Sequence, residues 1–166
     1  MRITRNLKIL ILILLVNMIT VAQSRTTSKA TKISDVEYCN LIQNNASYHK
    51  KRVRVRAVFI IDFEAHFLYN TECQGEVGSE NRVWVEFGSD YEKFSKPEII
   101  KRFEGILKPS KRLDGTMNMG DSKRVEVLVV GRFESGNYKY GHVSSYDYQI
   151  TIESIEEVKS VSDNTP

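Results

Sequence analysis

Between positions 51 and 61 polar and apolar residues alternate: Arg52, Arg54 and Arg56 interleave with Val53, Val55 and Ala57, and the run ends on Val58-Phe59-Ile60-Ile61. A period of two is that of a strand with one cationic and one apolar face, and the continuous apolar end predicts burial on both sides. Residues 62–65 turn the chain into a second strand at 66–69. A loop over 70–81, with Gly75, Gly78 and Cys73, leads to a third strand at 82–87 in which Trp84 falls between Val83 and Val85. The period then changes. After Lys96-Pro97-Glu98, the residues Ile99, Ile100, Phe103, Ile106 and Leu107 recur at helical spacing, which predicts an amphipathic helix with Pro in its first turn. Residues 108–122 form a loop, a fourth strand spans 124–133, and a Gly- and Tyr-rich connection spans 135–145. The fifth strand, 146–155, sets Tyr148, Ile150 and Ile152 against Gln149, Thr151 and Glu153. In front of all these, Ser34-Asp35-Val36-Glu37 has the pattern of a capping box, and Val36, Cys39, Leu41 and Ile42 predict a short helix ending at Asn44-Asn45.

A helix, three strands, a second helix and two more strands is the order of a five-stranded OB-like barrel, with the second helix between strands three and four. Another small barrel or an α+β roll has the same periodicity. In either case Val53, Val55, Phe59, Val83, Val85, Val127, Val129, Ile150 and Ile152 belong to the inward phase of their strands, and Trp84 to the opposite one.

Residues 1–24 change the picture of where the domain works. Arg2, Arg5 and Lys8 precede or enter an apolar run, Ile9 to Val16, and Ala22-Gln23-Ser24 follows. This is the build of a secretory signal peptide, and the run is shorter than the roughly 20 residues that span a bilayer. The expected organisation is a signal peptide at 1–24, a disordered leader at 25–33, the domain at 34–158 and a flexible tail at 159–166. The expected address is outside the cytoplasm, periplasmic or secreted, with no transmembrane anchor after cleavage.

Charge and cysteines follow from that reading. The net charge of +3 contains the three cations of residues 1–24, so the remainder has 24 − 3 = 21 basic residues against 21 acidic ones. The basic surplus that points to nucleic acid therefore disappears. Cys39 and Cys73 have a single possible pairing, which an oxidising compartment favours. Closing that 34-residue loop is worth roughly 3–4 kcal/mol on the chain-entropy model.

Two stretches carry a resemblance. Residues 41–57, from Leu41-Ile42-Gln43-Asn44 through Tyr48-His49-Lys50-Lys51 into the arginine-rich strand, resemble the start of exported bacterial OB-like domains, although Ala57 stands where such barrels often carry glycine. Val130-Gly131-Arg132-Phe133-Glu134, Tyr140-Gly141-His142 and Tyr146-Asp147-Tyr148-Gln149-Ile150 are similar to the end of the same largely uncharacterised group. The likeness covers about residues 34–158. It implies a small secreted barrel and no particular activity.

Three constellations are candidates for function. Tyr138, Tyr140 and His142 lie in the last connection and, with Phe63 and His66 of the first hairpin, sit where OB barrels hold ligands. Their rings suit stacking and the imidazole suits hydrogen bonding, while Gly141 and His142 equally suit a tight turn tied to its own backbone. Asp62, Glu64 and His66 alternate as a cation site or a solvated face would. Arg52, Arg54 and Arg56, beside Lys50 and Lys51, suit an acidic polymer, or salt bridges to Glu86 and other acids on neighbouring strands. There is no phosphate loop, nucleophile elbow or zinc-protease helix. No catalytic residue, metal or cofactor is assigned. The expectation is a non-catalytic binding domain for a cell-envelope polymer or protein. A hydrolase using His142 with a carboxylate such as Glu64 is the rival from another class, and nucleic-acid binding is a third reading.

Overall fold

The alternation at 51–61 makes the strand around which the others assemble. In a computed structural model, which describes residues 32–62, 65–73, 81–108 and 122–161, β1 (Ser34–Val36) precedes β2 (Arg52–Ile61), and β3 (His66–Tyr69), β4 (Val83–Phe87), β5 (Lys123–Tyr140) and β6 (Tyr146–Ser160) follow. Helices α1 (Tyr38–Gln43) and α2 (Asn45–Tyr48) connect β1 to β2, while α3 (Tyr91–Phe94) and α4 (Pro97–Leu107) lie between β4 and β5. The described residues are thus mainly β. Residues 1–31, which contain the expected signal peptide and most of the expected leader, and residues 63–64, 74–80, 109–121 and 162–166 lie outside them.

Hydrogen bonding runs from β2 to β3, β4, β6 and β5 and returns from β5 to β2, so five strands form a closed ring. β2 pairs with β5 along its whole length, from Arg52↔Arg132 to Ile61↔Lys123. The other side of β2 is shared: β1 pairs in parallel with Val53–Val55, and β3 pairs antiparallel with Val58–Ile61. β4 and β6 are parallel, from Val83↔Tyr148 to Phe87↔Ile152, a pairing that requires the long crossover carrying α3, α4 and β5.

The core follows the period of two. Val53, Val55, Phe59, Val83, Val85, Val127, Val129, Ile150 and Ile152 are all at most 1% exposed and belong to one cluster. Trp84 is on the opposite side, in a second cluster with Ile60, Phe67 and Tyr146. α4 closes one part of the main core: Phe103 is buried with its ring 5.3 Å from that of Phe59. Pro97 opens that helix, as the sequence predicts.

Three local expectations are corrected. Residues 34–36 are a strand, because pairing with β2 satisfies their backbone, and the helix begins at Tyr38 with Glu37 as its N-cap and no side-chain cap bond. The Ser34–Glu37 capping box is therefore not formed. β5 continues through 135–140, which reduces the connection to residues 141–145. β6 runs to Ser160, two residues into the stretch expected as tail.

Gly131 is required by close approach. It sits at a register shift in the β5–β6 ladder, and a Cβ there would lie 2.6 Å from the carbonyl oxygen of Thr151 and 2.8 Å from Cγ1 of Ile150. α1 is tied down twice. The Sγ atoms of Cys39 and Cys73 are at bonding distance, 2.10 Å, with Cα atoms 5.2 Å apart. The buried Tyr38 hydroxyl shares its proton between the carbonyls of Leu68, at 2.7 Å, and Asn81, at 2.8 Å. Burial pushes ionisation of that phenol far up from its ordinary value. Among the described residues no helix is long and apolar enough to cross a membrane.

Candidate functional site

The β2–β3 hairpin closes with the Asp62 N–H on the Ala65 carbonyl at 2.7 Å, which delivers His66 to the start of β3. β3 pairs with β4 through Phe67↔Trp84, and β6 brings Tyr146 to the same region. Five rings become successive neighbours as a result, the fourth of them, Phe87, also lying 6.1 Å from Phe59 and 6.2 Å from Phe103 of the main core. Tyr146 lies 5.1 Å from Trp84, Trp84 4.5 Å from His66, His66 6.4 Å from Phe87, and Phe87 4.8 Å from Tyr91 on α3. Trp84 and Tyr146 are each 6% exposed, His66 and Tyr91 are half-buried, and Phe87 is 36% exposed. The row is thus rooted at Trp84 and opens to solvent toward Phe87. Rings held this way offer contact area at little cost in side-chain entropy.

Polar groups line the row. The Trp84 indole N–H donates to Glu86 at 2.6 Å. Burial lowers the His66 pKa from its ordinary 6.5, with the Glu86 charge working partly against this, so the imidazole is held toward its neutral form. The Arg82 guanidinium lies 4.7 Å over the Phe67 ring, and it also hydrogen-bonds Tyr146, whose hydroxyl is nonetheless raised by burial.

The β5–β6 connection lies against the rooted end. Gly141 has φ +74°, and a Cβ there would lie 2.6 Å from Cδ2 and Cε3 of Trp84 and 2.8 Å from Cδ2 of Tyr146. Only glycine fits the turn so tightly to the indole. Tyr140 is half-buried against the second cluster, while His142 and Val143 are exposed.

Of the residues singled out in the sequence, His66 and Tyr140 belong to this region, and His142 is on the neighbouring turn. Phe63, Glu64 and the Tyr138 side chain lie outside what is described. Trp84, Phe87, Tyr91 and Tyr146 were missed. The one signal for them was the position of Trp84 in the outward phase of a strand. Among the described residues no group of three His, Cys, Asp or Glu side chains is placed to hold a metal ion.

The arginine stripe is engaged. Arg52 pairs with Glu153 at 2.7 Å, Arg54 with Glu156 at 2.8 Å and Asp35 at 3.0 Å, and Arg56 with Glu126 at 2.9 Å and Glu157 at 2.5 Å. Asp35 and Glu126 are acids on strands next to β2, as expected, whereas Glu86, the acid expected by name, serves Trp84 instead. The guanidiniums reach across β5 to acids of β6, and Val130, the β5 residue in register with Arg54, is 2% exposed although it lies outside the main core. A groove of about 530 Å3 at one side of the stripe, between β1 and Asn70, is lined by charges of both signs.

Comparison with family models, with curated proteins and with solved structures finds no match for this chain.

Proposed function

We propose that this chain is an exported, non-catalytic binding domain of the OB type, and that its β3–β4 face holds a neutral glycan of the cell envelope. The observation that carries the reading is the ring row from Tyr146 through Trp84 and His66 to Phe87 and Tyr91. It lies between the β2–β3 hairpin and the β5–β6 turn, and OB domains bind oligonucleotides and oligosaccharides on the corresponding strands between the corresponding loops. The ring order β2-β3-β4-β6-β5, with α4 before β5, supports the OB assignment.

The partly exposed rings of His66, Phe87 and Tyr91 offer apolar surface to successive sugars, and Glu86 and His66 supply acceptors for hydroxyl groups at the edge. A polyanion fits less well. The chain beyond residue 24 has a net formal charge of zero, and Arg52, Arg54 and Arg56 already face carboxylates.

The test is retention of the protein on insoluble neutral glycans and on peptidoglycan, read against oligonucleotide and protein-coated beads. Glycan retention that falls at least tenfold in His66→Ala/Phe87→Ala, with a cooperative melt preserved, supports the reading. Retention unchanged by that pair, binding only to protein, or oligonucleotide binding that falls steeply with salt would overturn it.

A further inference from the structure

We propose that the turn Gly141–Ser144 is a hinged cover over Trp84, which lifts to give the indole face to a ring of the ligand; the ligand part rests on the glycan reading above. The cover is seen in the packing. Trp84 is 6% exposed, and the backbone of Gly141 lies so close to its six-membered ring that no Cβ would fit between them.

The closed turn is held in an unfavourable conformation. Val143 and Ser144 have φ of 52° and 53°, in the left-handed region, which is costly above all for a β-branched residue. Val143 recovers nothing by burial, since it is 78% exposed. The backbone bond across the turn, Ser144 N–H to the Gly141 carbonyl, is a long 3.2 Å. Strain at a loop tip beside a row of rings is stored where a change of shape would release it.

The boundaries of the moving part are equally defined. Tyr140 and Tyr146 pair across the β5–β6 ladder immediately outside the turn, so that lifting is confined to residues 141–145. Gly141, at φ +74°, supplies the backbone freedom at one end. Beneath the cover Trp84 keeps its bond to Glu86 and its contact with His66, so the surface uncovered is already oriented. Opening also exposes Tyr146, the second ring that Gly141 covers.

Trp84 is the one tryptophan of the chain, so its fluorescence reports the cover directly. Acrylamide quenching is measured without ligand on the native protein, on Val143→Asn/Ser144→Asn and on Gly141→Ala. Asn tolerates the left-handed region, so the double variant relieves strain in the closed form and should lower the open fraction by about 5- to 30-fold. Gly141→Ala drives a methyl group into the indole and should raise quenching, with far-UV circular dichroism checking its fold. Quenching in the order double variant, native, Gly141→Ala supports the cover. Quenching of the double variant equal to native overturns it, whether or not Gly141→Ala folds. Titration with soluble chito-oligosaccharides then tests the ligand part, because apparent affinity scales with the open fraction and should fall in the double variant. The quenching order without oligosaccharide binding by any variant would refute the glycan reading and leave the cover standing.

Discussion

The carboxylate of Glu157 on β6 accepts a hydrogen bond from Arg56 on β2 at 2.5 Å, across the full width of β5. That bond holds the Glu157 carboxyl below its ordinary value of 4.5, against a smaller opposing effect of burial. A carboxyl depressed by folding favours the fold where it is ionised. Its contribution is complete above about pH 4.5 and is lost as the pH falls through the depressed value. Melting temperature measured against pH should drop on the acid side, and Glu157→Gln should flatten that drop. Parallel profiles for the two proteins would assign the acid sensitivity elsewhere.

His66 titrates in the opposite chemical sense with the same sign for stability. Its pKa is lowered in the fold, so the unfolded chain binds the proton more readily, and stability should decline as the pH falls below 6.5 through the depressed value. An NMR titration of the His66 ring should give a midpoint below 6.5; a midpoint at or above it contradicts the burial argument.

Tyr38→Phe removes a buried hydroxyl that faces the carbonyls of Leu68 and Asn81. Carbonyls left without that partner should cost about 1–3 kcal/mol in urea unfolding, with the slope of the transition unchanged. A loss well under 0.5 kcal/mol would mean that water or a backbone shift replaces the bond.

Gly131→Ala places a methyl group 2.6 Å from the Thr151 carbonyl oxygen, a backbone atom that moves only with its strand. A loss of about 1–3 kcal/mol or more is expected, whereas Gly105→Ala, with open space around its Cβ position and a site inside α4, should be neutral or stabilising. Equal effects at the two positions would refute the close-approach argument.

Cys39→Ser should lower stability by about 2–5 kcal/mol, and the native protein folded under oxidising conditions should show no alkylatable thiol by mass. Two alkylated cysteines in the native fold would exclude the bridge.

The strands and the inward phase were legible because a period of two over Val53 and Val55, or Ile150 and Ile152, leaves only one face for a core. β1 was not. Its three residues, Ser34-Asp35-Val36, carry no strand pattern and are held by the edge of β2 alone. The extension of β5 was masked by Gly136 and Asn137, which read locally as a turn. Acids on strands next to β2 do take part, Asp35 from β1 and Glu126 from β5, but the pairs with Glu153, Glu156 and Glu157 span β5 to reach β6, a reach that strand adjacency alone does not predict. The ring row joins positions 66, 84, 87, 91 and 146, and that proximity exists only after β3, β4 and β6 have been brought together.

Ser95 bears on how copies of this protein coexist at high concentration. Among the described residues no strand pairs with the β4 side of β6 beyond Ile152, and an open row of amides there would invite a strand from another molecule. The Ser95 hydroxyl fills the next place: it accepts the Ile155 N–H at 2.8 Å while donating to the Tyr91 carbonyl at 2.6 Å. The loop between α3 and α4 thus stands in for a sixth ring strand. A foreign β-segment would have to displace a buried side chain, and the helices on either side of it that pack on β6, before it could add to the sheet.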